Sequence, residues 1–296
     1  MTKSAVSQLA LFACDLNTAI NVSKVPQRSP FRYPGGKTWL VPRIRAWLQS
    51  LKRKPADFIE PFAGGGIVGL TVAFESYADR VTLIEIDDQV AAVWKTMLSR
   101  NAGWLANRIE TFSLSHEKVR DVIDQQPKST REKAFQTLLK NRVYHGGILA
   151  NGSGMLKHGE NGKGIASRWY PQTLSRRIQE ISSIRERIHF FEEDGMAAIE
   201  AHMNRPDVVF FVDPPYTAGG KHAGRRLYRF SDIDHLRLFQ LMQNVAGDFL
   251  MTYDDAAEVR QMADASGFQV RSVAMTNTHH ATVRELLIGR RLDWLQ

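Results

Sequence analysis

The stretch that most constrains the fold is Phe58-Ile59-Glu60-Pro61-Phe62-Ala63-Gly64-Gly65-Gly66-Ile67-Val68-Gly69. Residues 57–60 read as a short strand and 67–77 as a helix. Between them Gly64, Gly66 and Gly69 satisfy G-x-G-x-x-G. Glycines so placed permit a tight strand-to-helix turn and let the backbone approach a nucleotide-like ligand. A second strand is predicted at 81–86 and a helix at 88–100, the βαβ rhythm of an open parallel sheet. Glu85, on that second strand and about 20 residues past the glycines, stands where a ribose hydroxyl needs an acceptor. The pattern fits NAD and S-adenosylmethionine equally well.

The rhythm continues on both sides. Apolar spacing predicts a helix over 39–51, and residues 1–28 form a lead-in ending in the proline punctuation at Pro26 and Pro30. Apolar runs at 189–191 and 208–212 suit buried parallel strands. A helix is expected over 231–244, with Ser231 as its N-cap and Asp234 three residues on. Further strands are expected at 249–252, 268–275 and 283–288. Residues 111–184 break the pattern. They are rich in Lys, Arg, His, Gly and Ser, with helical pieces at 131–144 and 173–187. The expected organisation is thus a first core part at 29–110, a mainly helical insert at 111–184 and a second core part at 185–296.

A second motif separates the two ligand classes. Val208-Val209-Phe210-Phe211-Val212-Asp213-Pro214-Pro215-Tyr216 is a buried strand that stops at Asp213, because two prolines cannot continue a ladder. Asp213 and Tyr216 therefore fall at the C-terminal edge of the sheet, where open α/β sheets bind ligands. The lone pair of an adenine N6 amine is delocalised into its ring. A carboxylate at Asp213 and the backbone carbonyl of Pro214 can accept its two N–H bonds and aim that lone pair at an electrophilic methyl group. Tyr216 would stack on the flipped base.

Charge points the same way. Lys plus Arg number 39 against 31 Asp plus Glu, a net charge of +8, which favours a polyanionic partner. After Gly219-Gly220 come Lys221, His222, Arg225, Arg226 and Arg229, interleaved with Tyr228 and Phe230, a composition suited to phosphates and an opened base stack. The single cysteine, Cys14, excludes an internal disulfide framework and fits a reducing, cytoplasmic setting. No apolar run reaches the roughly 20 residues of a membrane helix. His145, His158, His279 and His280 lack metal-ligand spacing, so no metal is expected.

Taken together, these motifs resemble the Dam-type, or D12-class, adenine-N6 DNA methyltransferases over about residues 31–295. The resemblance rests on Phe31-Arg32-Tyr33-Pro34-Gly35-Gly36-Lys37, on Glu60 to Gly66, and on Asp213 to Tyr216. It also includes Asn141-Arg142, Glu193-Asp194 and Glu285-Leu286-Leu287, all in the family's order. It implies a doubly wound, Rossmann-like methyltransferase core whose helical insert recognises the target. It implies S-adenosyl-L-methionine as methyl donor, held by Tyr33, Lys37, Phe62, Gly64, Gly66, Glu85 and Asp194 beside Asp213. Asp213, Pro214 and Tyr216 would be catalytic. Asn141, Arg142, Lys221, Arg225, Arg226 and Arg229 would contact duplex DNA. Tyr33 stands where the best-known members more often carry Trp, and Glu85 where they carry Asp. The reaction expected is site-specific methylation of adenine N6, in the cytoplasm and in some settings beside a cognate restriction enzyme.

Other readings fit less well. Gly36-Lys37-Thr38 resembles the end of a P-loop, but Phe31 stands where that loop needs glycine. Cytosine-C5 methylation needs a cysteine nucleophile, and Cys14 is far from either motif. Adenine methylation in RNA, and a non-catalytic DNA-binding module with the same fold, are the alternatives left open. The recognition sequence and the oligomeric state are not legible.

Overall fold

The computed structural model describes residues 22–33, 35–150, 152–159, 162–215, 229–230, 232–276 and 282–295. A 3-10 turn at Lys37–Leu40 leads into α1 (Val41–Ser50), then β1 (Asp57–Glu60), α2 (Ile67–Glu75), β2 (Arg80–Ile84) and α3 (Asp88–Met97). Four helices follow: α4 (Ala102–Glu110), α5 (His116–Asp124), α6 (Thr130–Val143) and α7 (Pro171–Ser183). The chain then makes β3 (Ile188–Phe191), α8 (Gly195–His202), β4 (Val208–Val212), α9 (His235–Asn244), β5 (Asp248–Asp254), α10 (Ala257–Ala265), β6 (Gln269–Thr276) and β7 (Thr282–Gly289).

Side-chain alternation along the central strands decides the layering. In β4, Val209 and Phe211 join one hydrophobic cluster, whereas Val208, Phe210 and Val212 join another. Phe58 and Ile59 of β1 divide in the same way. Successive side chains of a strand point to opposite faces, so both faces of the sheet are covered, and the strands read as unbroken apolar runs. The first face receives Ile44 and Trp47 of α1, Val68 of α2, and Val93 and Trp94 of α3. The second receives Ile199 of α8, Leu238 and Phe239 of α9, and Val259 of α10. Each such Leu, Val or Phe, once fully buried, stabilises the fold by about 1.5–3 kcal/mol.

The sheet order is β3-β2-β1-β4-β5-β7-β6. Strands β1 to β5 run parallel, as anticipated. The last strand departs from that reading, because β7 lies antiparallel between β5 and β6. The physical reason is the short 277–281 link, since a parallel pair needs a crossover of about a dozen residues. Strand order reverses between β1 and β4, which opens a crevice at their C-terminal ends.

Helices from the 111–184 stretch pack onto the first face, α6 against α3 and α7 against α4. Val119, Phe135, Leu138 and Ile178 share the cluster that holds Trp94. One helix start is corrected. Helix α9 begins at His235, and its N-cap is Asp234, whose side chain accepts from Arg237 N at 2.9 Å. Ser231 lies outside the described residues. Aspartate and serine cap about equally well, so residue type did not discriminate between them.

Candidate active site

The turn after β1 is shaped by what packs on its glycines. Gly66 has φ +61°, and a Cβ there would lie 2.6 Å from the Trp94 ring. Trp94 in turn donates its indole N–H to the Gly64 carbonyl at 3.0 Å. Gly64, with φ +48°, lies under the Tyr33 ring, only 2.5 Å from where its Cβ would be. Two buried acids complete the turn. Glu60 Oε2 accepts from Gly69 N at 2.8 Å, and Glu85 Oε2 accepts from Gly64 N at 2.9 Å. Glu85 Oε1 also takes Asp87 N at 2.8 Å, tying the loop to the start of α3.

A cleft of about 1620 Å³ opens along this turn. Phe62, Gly65, Gly66, Glu85 and Asp194 line it. Gly64 lies just behind this lining, its N–H on Glu85 and its carbonyl on the Trp94 indole. Asp194 caps α8, accepting Met196 N and Ala197 N on Oδ1, and remains exposed toward the cleft. The volume exceeds the roughly 300–1,000 Å³ of a typical single-ligand pocket, leaving room for a cofactor and a base together.

At the far side of the turn lies a charged cluster. Asp213, directly after β4, accepts from Thr252 Oγ1 on Oδ1 at 2.8 Å. The same oxygen is 2.9 Å from Lys37 Nζ, which is also 3.0 Å from Glu285 Oε1 and donates to the Gly35 carbonyl at 2.9 Å. Lys37 is 4% exposed, so its ammonium is held among carboxylates and not by solvent. This places Lys37 against the expected catalytic acid. Pro214 is buried behind Asp213, and Pro215 lines the cleft.

Burial also perturbs the two loop acids. Glu60 is pushed up to about 8, by burial and further by the charge of Asp213, against the Gly69 N–H and Lys37. Glu85 is pushed up to about 7, again chiefly by burial, with the Asp87 N–H opposing it. A buried acid whose pKa is raised on folding binds more protons in the native state. Stability is then fully present below the unfolded value and is lost as pH rises through the folded one. Between about pH 5 and 8 each such group contributes a slope of up to about 1.4 kcal/mol per pH unit. Glu60→Gln keeps an acceptor for Gly69 N and removes the titration. It is expected to flatten the decline in melting temperature between about pH 5 and 8. A decline as steep as in the unmutated protein would show that Glu60 titrates elsewhere.

The residues expected to meet DNA divide into two groups. Asn141 is fully buried: its Oδ1 accepts from Arg32 N at 2.8 Å, and its Nδ2 donates to the carbonyls of Arg32 at 2.9 Å and Gly147 at 2.7 Å. With its amide spent on backbone groups, it braces the 29–37 segment and does not reach a DNA surface. Arg142 is buried beside it, donating to the Pro30 carbonyl, yet it forms part of the cleft wall. Arg229 bonds Asp87 at 2.7 Å and Asp88 at 2.5 Å and so lies folded against α3. Lys221, Arg225, Arg226 and Tyr216 lie outside the described residues. Glu60, Asp87 and Thr252 were missed as site residues. Glu60 had a legible signal, an acid ending the strand that enters the glycine turn, whereas Thr252 comes from β5 and has no local mark.

A family model of the D12 class N6 adenine-specific DNA methyltransferases matches residues 33–277. The chain belongs to that family. The matched span contains the glycine turn, Lys37 and Asp213 of this methyltransferase, and stops short of β7. No curated protein matches it in sequence. Among solved structures, the rRNA methyltransferase aviRa from Streptomyces viridochromogenes aligns at 12% identity and a TM-score of 0.40, over 93% of this chain and 95% of that one. A Pyrococcus horikoshii protein provisionally named an RNA methyltransferase aligns at 11% identity and a TM-score of 0.38, over 88% and 84%. Among the described residues no helix is long and apolar enough to cross a membrane.

Proposed function

We propose that this methyltransferase moves a methyl group from S-adenosylmethionine to the N6 amine of an adenine flipped out of duplex DNA. The observation that carries the reading is Asp213, fixed by Lys37 and Thr252 at the end of β4, in one cleft with the glycine turn. The residues fit the donor. Gly65 and Gly66 present bare backbone to the cleft, and Phe62 offers an apolar wall. Glu85 and Asp194 offer carboxylates to hydroxyl and amine groups. These residues would hold the cofactor, which supplies a methyl group on a positively charged sulfonium.

The remaining work falls to the chain. Asp213 and the Pro214 carbonyl would accept the two N–H bonds of the amine, leaving its lone pair directed at the methyl carbon. Methylation would cost the amine one proton as the donor's sulfonium loses its methyl group, and the Asp213 carboxylate would accept that proton. Lys37 holds that carboxylate in place, and Glu285 balances the lysine charge. Tyr216 would stack on the extruded base. We assign the 111–184 helices to target recognition, and Lys221, Arg225 and Arg226 to phosphate contacts. The net charge of +8 supports a polyanionic substrate. A cytoplasmic setting and a companion restriction enzyme go with this reading.

The test is incubation with methyl-labelled S-adenosylmethionine and either duplex DNA or duplex RNA of the same sequence, followed by nucleoside analysis. Label is expected in DNA as N6-methyladenine. Label confined to RNA, or to cytosine, would overturn the proposal.

A further inference from the structure

Several partly buried arginines among the described residues have an acid beside them. Arg28 and Arg45 pair with Glu75 at 3.2 and 2.7 Å, and Arg80 pairs with Asp57 at 2.8 Å. One wall of the cleft is different. Arg32, Arg142, Arg168 and Arg177 all line it, drawn from the 29–37 segment, the end of α6, the turn at Gly164–Arg168 and α7. No ion pair joins Arg32, Arg142 or Arg177 to a carboxylate among the described residues.

These guanidinium groups are brought together by backbone. The Ser29 carbonyl accepts from Arg177 Nη1 at 2.9 Å, and the next carbonyl, Pro30, accepts from Arg142 Nη2. Asn141 clamps the backbone of Arg32 from both its N–H and its carbonyl. Arg142 is only 5% exposed, and its buried Nε has no hydrogen-bond partner. Arg32, Arg142 and Arg177 are held below the usual arginine value. For Arg142 the cause is burial, then Arg177, Arg32 and Arg168; for Arg32 it is burial, then Arg168. For Arg177 burial is followed by Arg176, with Glu180 acting the other way. Arginine nonetheless keeps its proton, so the mutual repulsion persists in the free protein as a cost that an anion would relieve.

We propose that Arg32, Arg142 and Arg177, with Arg168, form a built anion site that takes a backbone phosphate of the strand carrying the target adenine. The inference rests on the DNA reading above and adds a phosphate subsite to it. A phosphate suits the site better than the cofactor's carboxylate does. S-adenosylmethionine offers a single carboxylate and brings its own positive sulfonium and amine, whereas a nucleic-acid strand brings a run of negative charges. The site also shares its cleft with Asp213, so phosphate and base of one nucleotide can be held together.

The test keeps Arg142, which ties Pro30, and replaces Arg32 and Arg177 together by glutamine. Duplex DNA affinity is read by fluorescence anisotropy from low to moderate salt, S-adenosylmethionine affinity by calorimetry, and folding by melting temperature. The variant is expected to bind DNA at least about tenfold more weakly, and its log–log salt slope to fall by roughly 0.9 for each phosphate that is no longer neutralised. Cofactor affinity should stay unchanged, and Arg32→Lys with Arg177→Lys should keep most of the slope. In the unmutated protein, inorganic phosphate should raise the melting temperature more than chloride at equal ionic strength, and in the glutamine variant it should not. An unchanged slope in a folded variant overturns the proposal. So does a loss of cofactor affinity with DNA binding intact, which would make the anion the carboxylate. Because the slope reads binding alone, it reports on this site independently of whether the labelled-product assay supports adenine methylation.

Discussion

Replacing Asp213 by alanine is expected to slow single-turnover methyl transfer by about 10²-fold or more, the usual loss for one oriented group acting on a transition state. The geometry says why the loss should be large. Asp213 is held on Oδ1 by Thr252 and Lys37 at 2.8 and 2.9 Å, so the carboxylate is fixed before any substrate arrives. Alanine also leaves Lys37 with Glu285 as its remaining acidic partner among the described residues, so some stability should be lost as well. Asp213→Asn separates the two effects, since it keeps the volume and one carbonyl acceptor but not the charge. Melting temperature and single-turnover rate measured on both variants decide the matter. Near-normal transfer by a folded Asp213→Ala protein would remove Asp213 from the chemistry.

Replacing Glu85 by alanine is expected to weaken S-adenosylmethionine binding by about 1.5–3 kcal/mol, or roughly 10- to 150-fold, while DNA affinity changes little. The structure adds a second consequence. Glu85 accepts from Gly64 N and Asp87 N, so alanine orphans two backbone donors behind the turn. A lower melting temperature should accompany the lost affinity. Glu85→Gln, which retains one acceptor oxygen, should recover part of the stability. Calorimetry that finds unchanged cofactor affinity for a folded Glu85→Ala variant would confine Glu85 to bracing the turn.

Local patterns in the sequence carried most of the core. Residues 57–60 and 208–212 were read at their observed bounds: 208–212 is an uninterrupted apolar run, the shorter Phe58-Ile59 pair runs into the glycine turn, and Pro61 and Pro214 stop the two strands. Short amphipathic helices such as α8 and α10 carried less pattern and were not singled out. The antiparallel β7 was hidden because period and propensity do not specify which neighbour a strand chooses. The site followed the same division. Asp213 and the glycine turn are contiguous motifs with their own signatures. The partners that orient Asp213 come from opposite parts of the chain, at Lys37, Thr252 and Glu285, and only the fold brings them to one oxygen or one ammonium. Asn141 differs from what the resemblance implies, because the bonds it makes among the described residues are all to backbone within the protein.

Strand β7 has a consequence for the order in which this protein matures. It is laid between β5 and β6, and it delivers Glu285 to the lysine that touches Asp213. During synthesis, the glycine turn, Lys37 and Asp213 all leave the ribosome before β7 does. A nascent chain can therefore assemble its parallel strands while Lys37 still lacks Glu285 and β5 still presents an open edge. A chain halted before Thr282 would emerge with Asp213 and Lys37 present but without the Glu285 carboxylate beside the lysine.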